Sequence, residues 1–192
     1  YYDSVAKGIK FDHIKNYSKF SYGLGSEYRY DEGEFQNNGS YSASTKGHYD
    51  NISFYTNYGY NFFKKLRASV FGRYEQNKIV GSNNSKKIDF SQRYKIFNFG
   101  ISFSEGFRNP TIYELFGTDN YGYSGNRNLK SEKSRSNDLY LDFDISQNFN
   151  GSIRGFKSYI SDQIEYKSNK YINNSNNLET KQKGVNTNLN IK

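Results

Sequence analysis

Residues Phe103–Ser134 read F-S-E-G-F-R-N-P-T-I-Y-E-L-F-G-T-D-N-Y-G-Y-S-G-N-R-N-L-K-S-E-K-S, and this stretch decides the fold. An alternating segment ends close to Pro110, the single proline of the chain. Because the residue before a proline is driven to extended geometry, we predict that a strand ends at Asn109 and that the chain turns there. A loop rich in Tyr, Gly and Asn follows, and the run that ends at Ser134 opens another strand.

Alternation with a period of two residues recurs elsewhere in the chain. Apolar side chains occupy Phe20, Tyr22, Leu24, Tyr28 and Tyr30, then Ile52, Phe54, Tyr58, Tyr60 and Phe62, then Phe97, Phe99, Ile101 and Phe103, and finally Leu139, Leu141, Phe143 and Ile145. The residues between them are mostly polar or glycine. This pattern predicts strands with one apolar face and one polar face.

We predict about nine antiparallel strands, joined by connections that alternate in length. The strands are predicted at Ser4–Ile14, Lys19–Tyr30, Tyr49–Phe62, Leu66–Gln76, Lys87–Lys95, Ile96–Gly106, Ser134–Gln147, Ser152–Tyr166 and Gln182–Ile191. Short connections are predicted at 16–18, 63–66, near 95 and at 147–151, and long loops at 31–49, 76–87, 108–133 and 167–181. Near Lys95, either a turn or a β-bulge explains a shift of the apolar positions. Short turns on one side and long loops on the other are typical of outer-membrane β-barrels.

The composition fits a barrel better than a globular core. Of the 192 residues, 34% are hydrophobic, which is too little for an ordinary core of this length, and 19% are aromatic, which is atypical of disorder. No run approaches the roughly 18 apolar residues of a membrane-spanning helix, whereas a barrel strand needs only about 10 alternating residues. We therefore predict an all-β fold, an antiparallel transmembrane β-barrel.

The opening stretch resembles the signature of TonB-dependent outer-membrane receptors, in which G-F-R-x-P is followed by a Y-E-L-like turn and an N-x-N-L-x-x-E-K-S run. The residues that carry this resemblance, as a structural rim, are Glu105, Gly106, Phe107, Arg108, Pro110, Tyr113, Glu114, Leu115, Asn128, Leu129, Glu132, Lys133 and Ser134. Arg127 and Ser131 stand where the family commonly has proline. A weaker likeness continues from Asp162 to Val185.

The resemblance implies a domain organisation. The family has an N-terminal plug domain and a barrel of 22 strands. Because bacterial single-chain barrels have even strand counts, about nine strands indicate a fragment. We expect residues 1–192 to form part of the C-terminal half of such a barrel, with no plug domain among them.

The resemblance also implies a function. The intact protein is expected in a bacterial outer membrane, in contact with its lipid. It would bind cobalamin (vitamin B12) or a ferric siderophore at extracellular loops and import it with energy from the TonB–ExbB–ExbD system, acting through the plug. Two other classes remain open, a passive porin and a soluble basic β-sheet that binds nucleic acid or glycan. A porin does not explain the motif, and the soluble sheet would expose its aromatic face to water.

Five loop residues are candidate ligand contacts, because Tyr offers flat apolar area and Asn and Asp offer adaptable hydrogen bonds. They are Asp119, Asn120, Tyr121, Tyr123 and Asn126. The alternative is a solvated loop whose aromatic rings pack on one another.

Three carboxylates, Asp31, Glu32 and Glu34, form a candidate Ca²⁺ site in a loop, although they lack the spacing of an ordered calcium loop, and a solvated acidic loop is the alternative. At the rim, Glu105 is expected to pair with Arg108, and Glu114 and Glu132 are expected to pair with basic residues at 130, 133 and 135.

No catalytic constellation is evident. The chain has no Cys and two isolated His residues, so we expect neither an enzyme nor a resident cofactor. The net charge of +8 comes from dispersed Lys and Arg, which line the lumen or lie near anionic lipid headgroups in our interpretation, and nucleic acid is not an expected partner.

Overall fold

The computed structural model describes residues 2–39, 42–63, 65–174 and 179–191. The strands of its main antiparallel sheet are β1 Tyr2–Asn16, β2 Phe20–Asn38, β3 Ser42–Phe63, β4 Leu66–Asn77, β5 Gly81–Tyr94, β6 Phe97–Arg108, β7 Thr118–Asp119, β8 Glu132–Ser146, β9 Phe149–Ser161 and β12 Thr180–Ile191. A hairpin of β10 Ile164–Lys167 and β11 Lys170–Asn173, and a one-turn helix α1 Ile112–Phe116, complete the described elements. The order of the strands in the main sheet is β1-β2-β3-β4-β5-β6-β8-β9-β12, and the short strand β7 pairs with β3.

The predicted fold class is confirmed. All neighbouring strands of the main sheet pair antiparallel, and its nine long strands lie side by side in the order in which they occur along the chain. Within the described residues, no helix has the length and apolar character to cross a membrane.

The two faces of the sheet differ as the alternation predicts. Large apolar side chains on one face are exposed, for example Phe11 (70%), Phe54 (58%) and Leu139 (65%). The other face is polar and internally bonded: Tyr55 donates to Asp12 at 2.5 Å, and Tyr140 donates to Asp89 at 3.1 Å. A contiguous apolar face of this size fits lipid rather than water. We call the apolar face the outer face and the polar face the inner face.

Two of the predicted long loops are wrong. Between residues 31 and 49, β2 and β3 continue to pair as far as Asn38 and Ser42. Between 76 and 87, β4 and β5 are joined by a tight turn, in which the Asn77 side chain accepts from the backbone N–H groups of Ile79 and Val80 at 2.8 and 3.0 Å. Gly81 completes this turn with a φ of +83°. Beyond the lipid both faces of a strand are polar, so the alternation disappears while the backbone ladder continues.

The remaining connections are refined by the structure. Lys95 has a φ of 52° and lies between the paired residues Tyr94 and Phe97, so the connection at this point is a turn and not a bulge. The strand predicted to end at Tyr166 ends at Ser161 instead, where Asp162 adopts a φ of 54° and the chain enters the β10–β11 hairpin.

Candidate ligand-binding site

The loop between β6 and β8, residues 109–131, crosses the edge of the sheet; we call it the motif loop. It begins with a capping box, in which Thr111 accepts from the Glu114 N–H at 3.2 Å and the Glu114 carboxylate accepts from the Thr111 N–H at 2.6 Å. We call the end of the sheet at which the motif loop lies the upper end. After α1, the chain pairs with the upper end of β3 through Ala43 and Ser44. The loop therefore runs from β6 to β3, past the shorter hairpin of β4 and β5.

A small apolar core holds the motif loop in place. Leu115 is 1% exposed and packs with Leu129 and Ile164, and half-buried Ile79 and Val80 of the β4–β5 turn lie against this cluster. The tight turn between β4 and β5 thus forms part of the floor on which the loop rests. Burial of these side chains supplies the non-directional part of the docking free energy.

Four tyrosines join the motif loop to the β10–β11 hairpin. Tyr113 and Tyr123 stack with ring centroids 4.9 Å apart, and Tyr171 and Tyr166 pack against Tyr123 at 5.7 and 5.9 Å. The Tyr123 hydroxyl donates to the Tyr113 carbonyl at 2.7 Å. Burial raises the pKa of Tyr123 well above its ordinary value, so the hydroxyl stays protonated and remains a donor.

Arg108 closes the base of the motif loop. Its guanidinium donates to both Glu132 oxygens at 2.8 and 2.9 Å, and to the two Glu114 oxygens at 3.0 and 3.3 Å. Glu132 also accepts from the backbone N–H of Ile164 at 2.8 Å, which fixes the chain after β9. The hydrogen bond to Glu132 is the main cause that raises the pKa of Arg108. One side chain therefore ties β6, α1, β8 and the start of β10 together.

The predicted rim pairings need correction. Glu105 pairs with Lys86 at 2.9 Å and not with Arg108. Glu105 and Arg108 are three residues apart in β6, so their side chains lie on opposite faces of the strand. Glu114 and Glu132 converge on Arg108 rather than on the expected basic residues, and Arg135 pairs with Glu179.

Replacing Arg108 with Gln is expected to loosen the motif loop, because it leaves the Glu114 and Glu132 carboxylates close together without their cation. We expect roughly tenfold faster proteolytic cleavage within residues 109–131 of the assembled protein, since hydrogen bonds to charged groups contribute about 1.5–3 kcal/mol. Arg93→Gln is the matched control, because Arg93 contacts Asp144 at 3.5 Å with both side chains exposed. Equal cleavage in the two variants would contradict this role.

Acid is expected to weaken the docking of the loop. The hydrogen bond from Arg108 holds the pKa of Glu132 below its ordinary value of 4.5. The stabilisation is therefore present above about pH 4.5 and lost as the pH falls through the lowered pKa. Amide hydrogen exchange of the motif loop, corrected for intrinsic rates, measures this change. Glu132→Gln removes the titrating group, so its exchange should show a much weaker pH dependence in this range.

A second polar network joins the two ends of the loop, and no pattern in the sequence signals it. Asn83 of β5 donates to the Ser131 hydroxyl at 2.9 Å, and Ser131 donates to Asn109 at 2.7 Å. Asn109 in turn donates to the Glu75 carboxylate at 2.9 Å. These contacts fix both ends of the loop over β4 and β5.

A cleft of about 770 Å³ opens on the inner face between α1 and the upper parts of β1, β2 and β3. Tyr49, Ile112 and Tyr113 give it apolar walls, and Arg29 and Asp31 face it as an ion pair at 2.8 Å. Gly47 lets α1 approach β3, because a Cβ at this position would lie 2.3 Å from the Phe116 ring. The cleft combines aromatic area with a few polar groups, as small-molecule sites do.

The profile of the family described as TonB dependent receptor-like, beta-barrel matches residues 2–192. The chain belongs to this family. Its members are outer-membrane proteins of Gram-negative bacteria, and they are receptors and transporters rather than enzymes. The predicted localisation is therefore confirmed. A search among curated proteins found no match.

Solved structures of receptor barrels share this fold. A mutant of the ferric enterobactin receptor from Pseudomonas aeruginosa, in complex with enterobactin, is 13% identical with a TM-score of 0.72 and matches 97% of this chain and 33% of its own. The siderophore receptor PirA from Acinetobacter baumannii is 14% identical with a TM-score of 0.63, over 100% of this chain and 32% of its own. The FrpB iron transporter from Neisseria meningitidis is 12% identical with a TM-score of 0.70, and the match covers 98% of this chain and 33% of the transporter. The chain thus spans about one third of the length of these structures.

The predicted ligand residues of this receptor barrel lie in the motif loop, and all five make hydrogen bonds within the structure. Asp119 accepts from the Tyr121 and Tyr123 N–H groups at 2.9 and 2.8 Å, and Asn120 accepts from the Ser42 N–H at 3.1 Å. Asn126 donates to the Tyr171 carbonyl at 2.9 Å. Tyr123 is 3% exposed, whereas Tyr121 is 65% exposed. None of the five lines the cleft in the described part of the chain, and their role in binding a ligand stays a prediction.

The three carboxylates proposed for Ca²⁺ lie in strand β2 and not in a loop. Asp31 pairs with Arg29, Glu32 accepts from the Tyr30 hydroxyl, and Glu34 pairs with Lys46. Because successive residues of a strand face opposite sides, Asp31 points away from Glu32 and Glu34. Across the described ranges, no group of three or more His, Cys, Asp or Glu side chains is arranged to hold a metal ion.

Proposed function

We propose that the intact protein is an outer-membrane receptor that binds a bulky ferric siderophore at its extracellular side and imports it with energy from TonB. The observation that carries this proposal is the docked motif loop, which brings α1 against the inner wall and forms the cleft beside Tyr49 and Tyr113. A cleft of about 770 Å³ suits a ligand the size of a metal chelate. The aromatic walls favour an aromatic chelate, and the Arg29–Asp31 ion pair offers it a hydrogen-bond donor and an acceptor.

The comparisons favour a siderophore over cobalamin as the ligand. The similar structures include a ferric enterobactin receptor, a siderophore receptor and an iron transporter. These proteins share the fold at 12–14% identity, so they support the ligand class and not one particular chelate. A passive porin is disfavoured, because membership of the receptor family and the inward-docked loop both fit a gated receptor.

The proposal is tested with the full-length receptor in cells that lack their other siderophore receptors. Radiolabelled ferric enterobactin and cyanocobalamin are offered separately, and uptake is compared in strains with and without TonB. We expect uptake of the ferric chelate that requires TonB, and none of cyanocobalamin. Preferential uptake of cyanocobalamin would overturn the ligand class, and uptake without TonB would overturn the transport mechanism.

The place of binding is tested by Arg29→Gln, with Arg93→Gln as the control. Arg29 lines the cleft, whereas Arg93 lies near the opposite end of the sheet. Loss of a charged hydrogen-bonding group is expected to weaken binding of ferric enterobactin by about tenfold. Equilibrium binding to the purified full-length receptor measures this change, and equal affinity of the two variants would place the ligand elsewhere.

A further inference from the structure

The outer face of β5, β6, β8, β9 and β12 is ordered in rows, because residues paired across the ladder lie at the same height. One row contains Phe90, Ile101, Leu139, Gly155 and Val185, and the next towards the short turns contains Gln92, Phe99, Leu141, Ile153 and Thr187. The following row contains Tyr94, Phe97, Phe143, Gly151 and Leu189. These rows are mostly apolar and form the lipid-facing band on this side of the barrel.

The rows directly above this band carry net positive charge. The first contains Phe103, Asn137, Lys157 and Lys183, and the second contains Glu105, Arg135, Tyr159 and Lys181, with Glu105 paired to Lys86 beside it. Lys133 follows two residues above Arg135 on the same face of β8. The five basic side chains of β8, β9 and β12 in this region are exposed. We call Lys133, Arg135, Lys157, Lys181 and Lys183 the basic patch.

An aromatic ring lies in the middle of the patch. The ammonium groups of Lys157 and Lys181 lie 5.2 and 6.0 Å from the centroid of the Tyr159 ring. Tyrosines on the outer face at this height are typical of the membrane interface, where the ring lies against acyl chains and the hydroxyl meets polar headgroups. The row therefore marks the boundary between hydrocarbon and headgroups on the loop side.

The charge of the patch is only partly neutralised by the protein. Arg135 pairs with Glu179, but no carboxylate within the described residues pairs with Lys157, Lys181 or Lys183. The outer face near β2 and β3, towards the opposite edge of the sheet, is different. There, Lys46 pairs with Glu34 at 3.0 Å and Lys78 pairs with Asp50 at 2.5 Å.

We propose that the basic patch is a docking site for a phosphorylated glycolipid of the outer leaflet. Lysines that have no carboxylate partner among the described residues lie at the upper boundary of the apolar band. They complement phosphate groups at the same height, while the acyl chains of the lipid cover Leu139 and Val185 below. The occupant is a lipid and not a soluble anion, because the charged rows continue without interruption into the lipid-facing rows. The proposal depends on the outer-membrane location and is independent of the transported ligand.

The test compares two triple variants of the full-length receptor purified in detergent. One carries Lys157→Gln, Lys181→Gln and Lys183→Gln, and the other carries Lys7→Gln, Lys46→Gln and Lys78→Gln, so both lose three positive charges from the outer face. Each is delipidated and incubated with diphosphorylated lipid A or with lipid A lacking both phosphates, and bound lipid is counted by native mass spectrometry. Heat-modifiable migration in gels shows that each variant has assembled.

We expect about a tenfold or greater loss of bound diphosphorylated lipid A in the patch variant and little change in the control. Inorganic phosphate alone should not displace the lipid from the unmodified receptor. Equal retention by the two variants would overturn the proposal. Equal binding of the dephosphorylated lipid to the unmodified receptor would do the same, and this second comparison needs no substitution to fold.

Discussion

Leu115→Ala is expected to release the motif loop while the barrel strands stay assembled. Leu115 is 1% exposed and lies at the centre of the cluster with Leu129 and Ile164. Truncating a buried leucine to alanine costs about 2–5 kcal/mol, because the transfer free energy is lost and a cavity remains. The loss falls on the docking of the loop and not on the ladder, since Leu115 belongs to no strand of the sheet.

Amide hydrogen exchange of the full-length receptor in detergent measures this effect. Two backbone N–H groups report whether the loop is docked. Gly125 donates to the Gly117 carbonyl at 2.6 Å, and Asn126 donates to the Glu114 carbonyl at 2.9 Å. Their exchange should accelerate by about thirtyfold or more, which corresponds to the lower end of the expected cost. Leu139→Ala is the matched control, because Leu139 is 65% exposed on the lipid face and detergent or lipid fills the space. Similar exchange in both variants would show that the apolar cluster does not hold the loop.

The strands in the lipid-facing band were predictable, and the upper parts of β2 and β3 were not. The lipid imposes alternation only where one face meets hydrocarbon, so Phe54 and Tyr58 were assigned correctly to β3. Ser42–Gly47 has polar or small residues on both faces, so the sequence predicts a loop, although the segment pairs residue by residue with β2. Periodicity reports the environment of a strand and not its hydrogen bonding.

The position of the site was predictable from the motif, but its contacts were not. Pro110 and the residues after it located the loop correctly. The pairing of Arg108 with Glu132 joins residues 24 apart and depends on how the loop closes. The expected pair of Glu105 with Arg108 is wrong, because side chains three residues apart along a strand lie on opposite faces, and Glu105 pairs with Lys86 instead. The residues that line the cleft from β1 and β2 carry no local signal, since distant strands bring them together.

Gly125→Ala is expected to separate the second half of the motif loop from α1. A Cβ at this position would lie 2.5 Å from the Leu115 carbonyl carbon and 2.6 Å from the Phe116 backbone nitrogen. Both neighbours are backbone atoms, so no side-chain rotation can relieve the clash. Overpacking of this kind costs typically about 1–3 kcal/mol, and more where the surroundings cannot shift. The hydrogen bond between Gly125 and Gly117 would be broken as the chains move apart.

Gly155→Ala separates this steric effect from any general effect of replacing glycine in the barrel. Gly155 lies in β9, and among the described residues no atom beyond its own chain neighbours lies within 4 Å of the place that an added Cβ would take, so the new methyl group faces lipid or detergent. We expect Gly125→Ala to accelerate exchange in the motif loop and to weaken binding of ferric enterobactin, with both properties unchanged in Gly155→Ala. Faster exchange with unchanged binding would show that the docked loop is not part of the binding site. Because the cleft exists only where α1 lies against β3, the pair of variants tests directly whether loop docking creates the site.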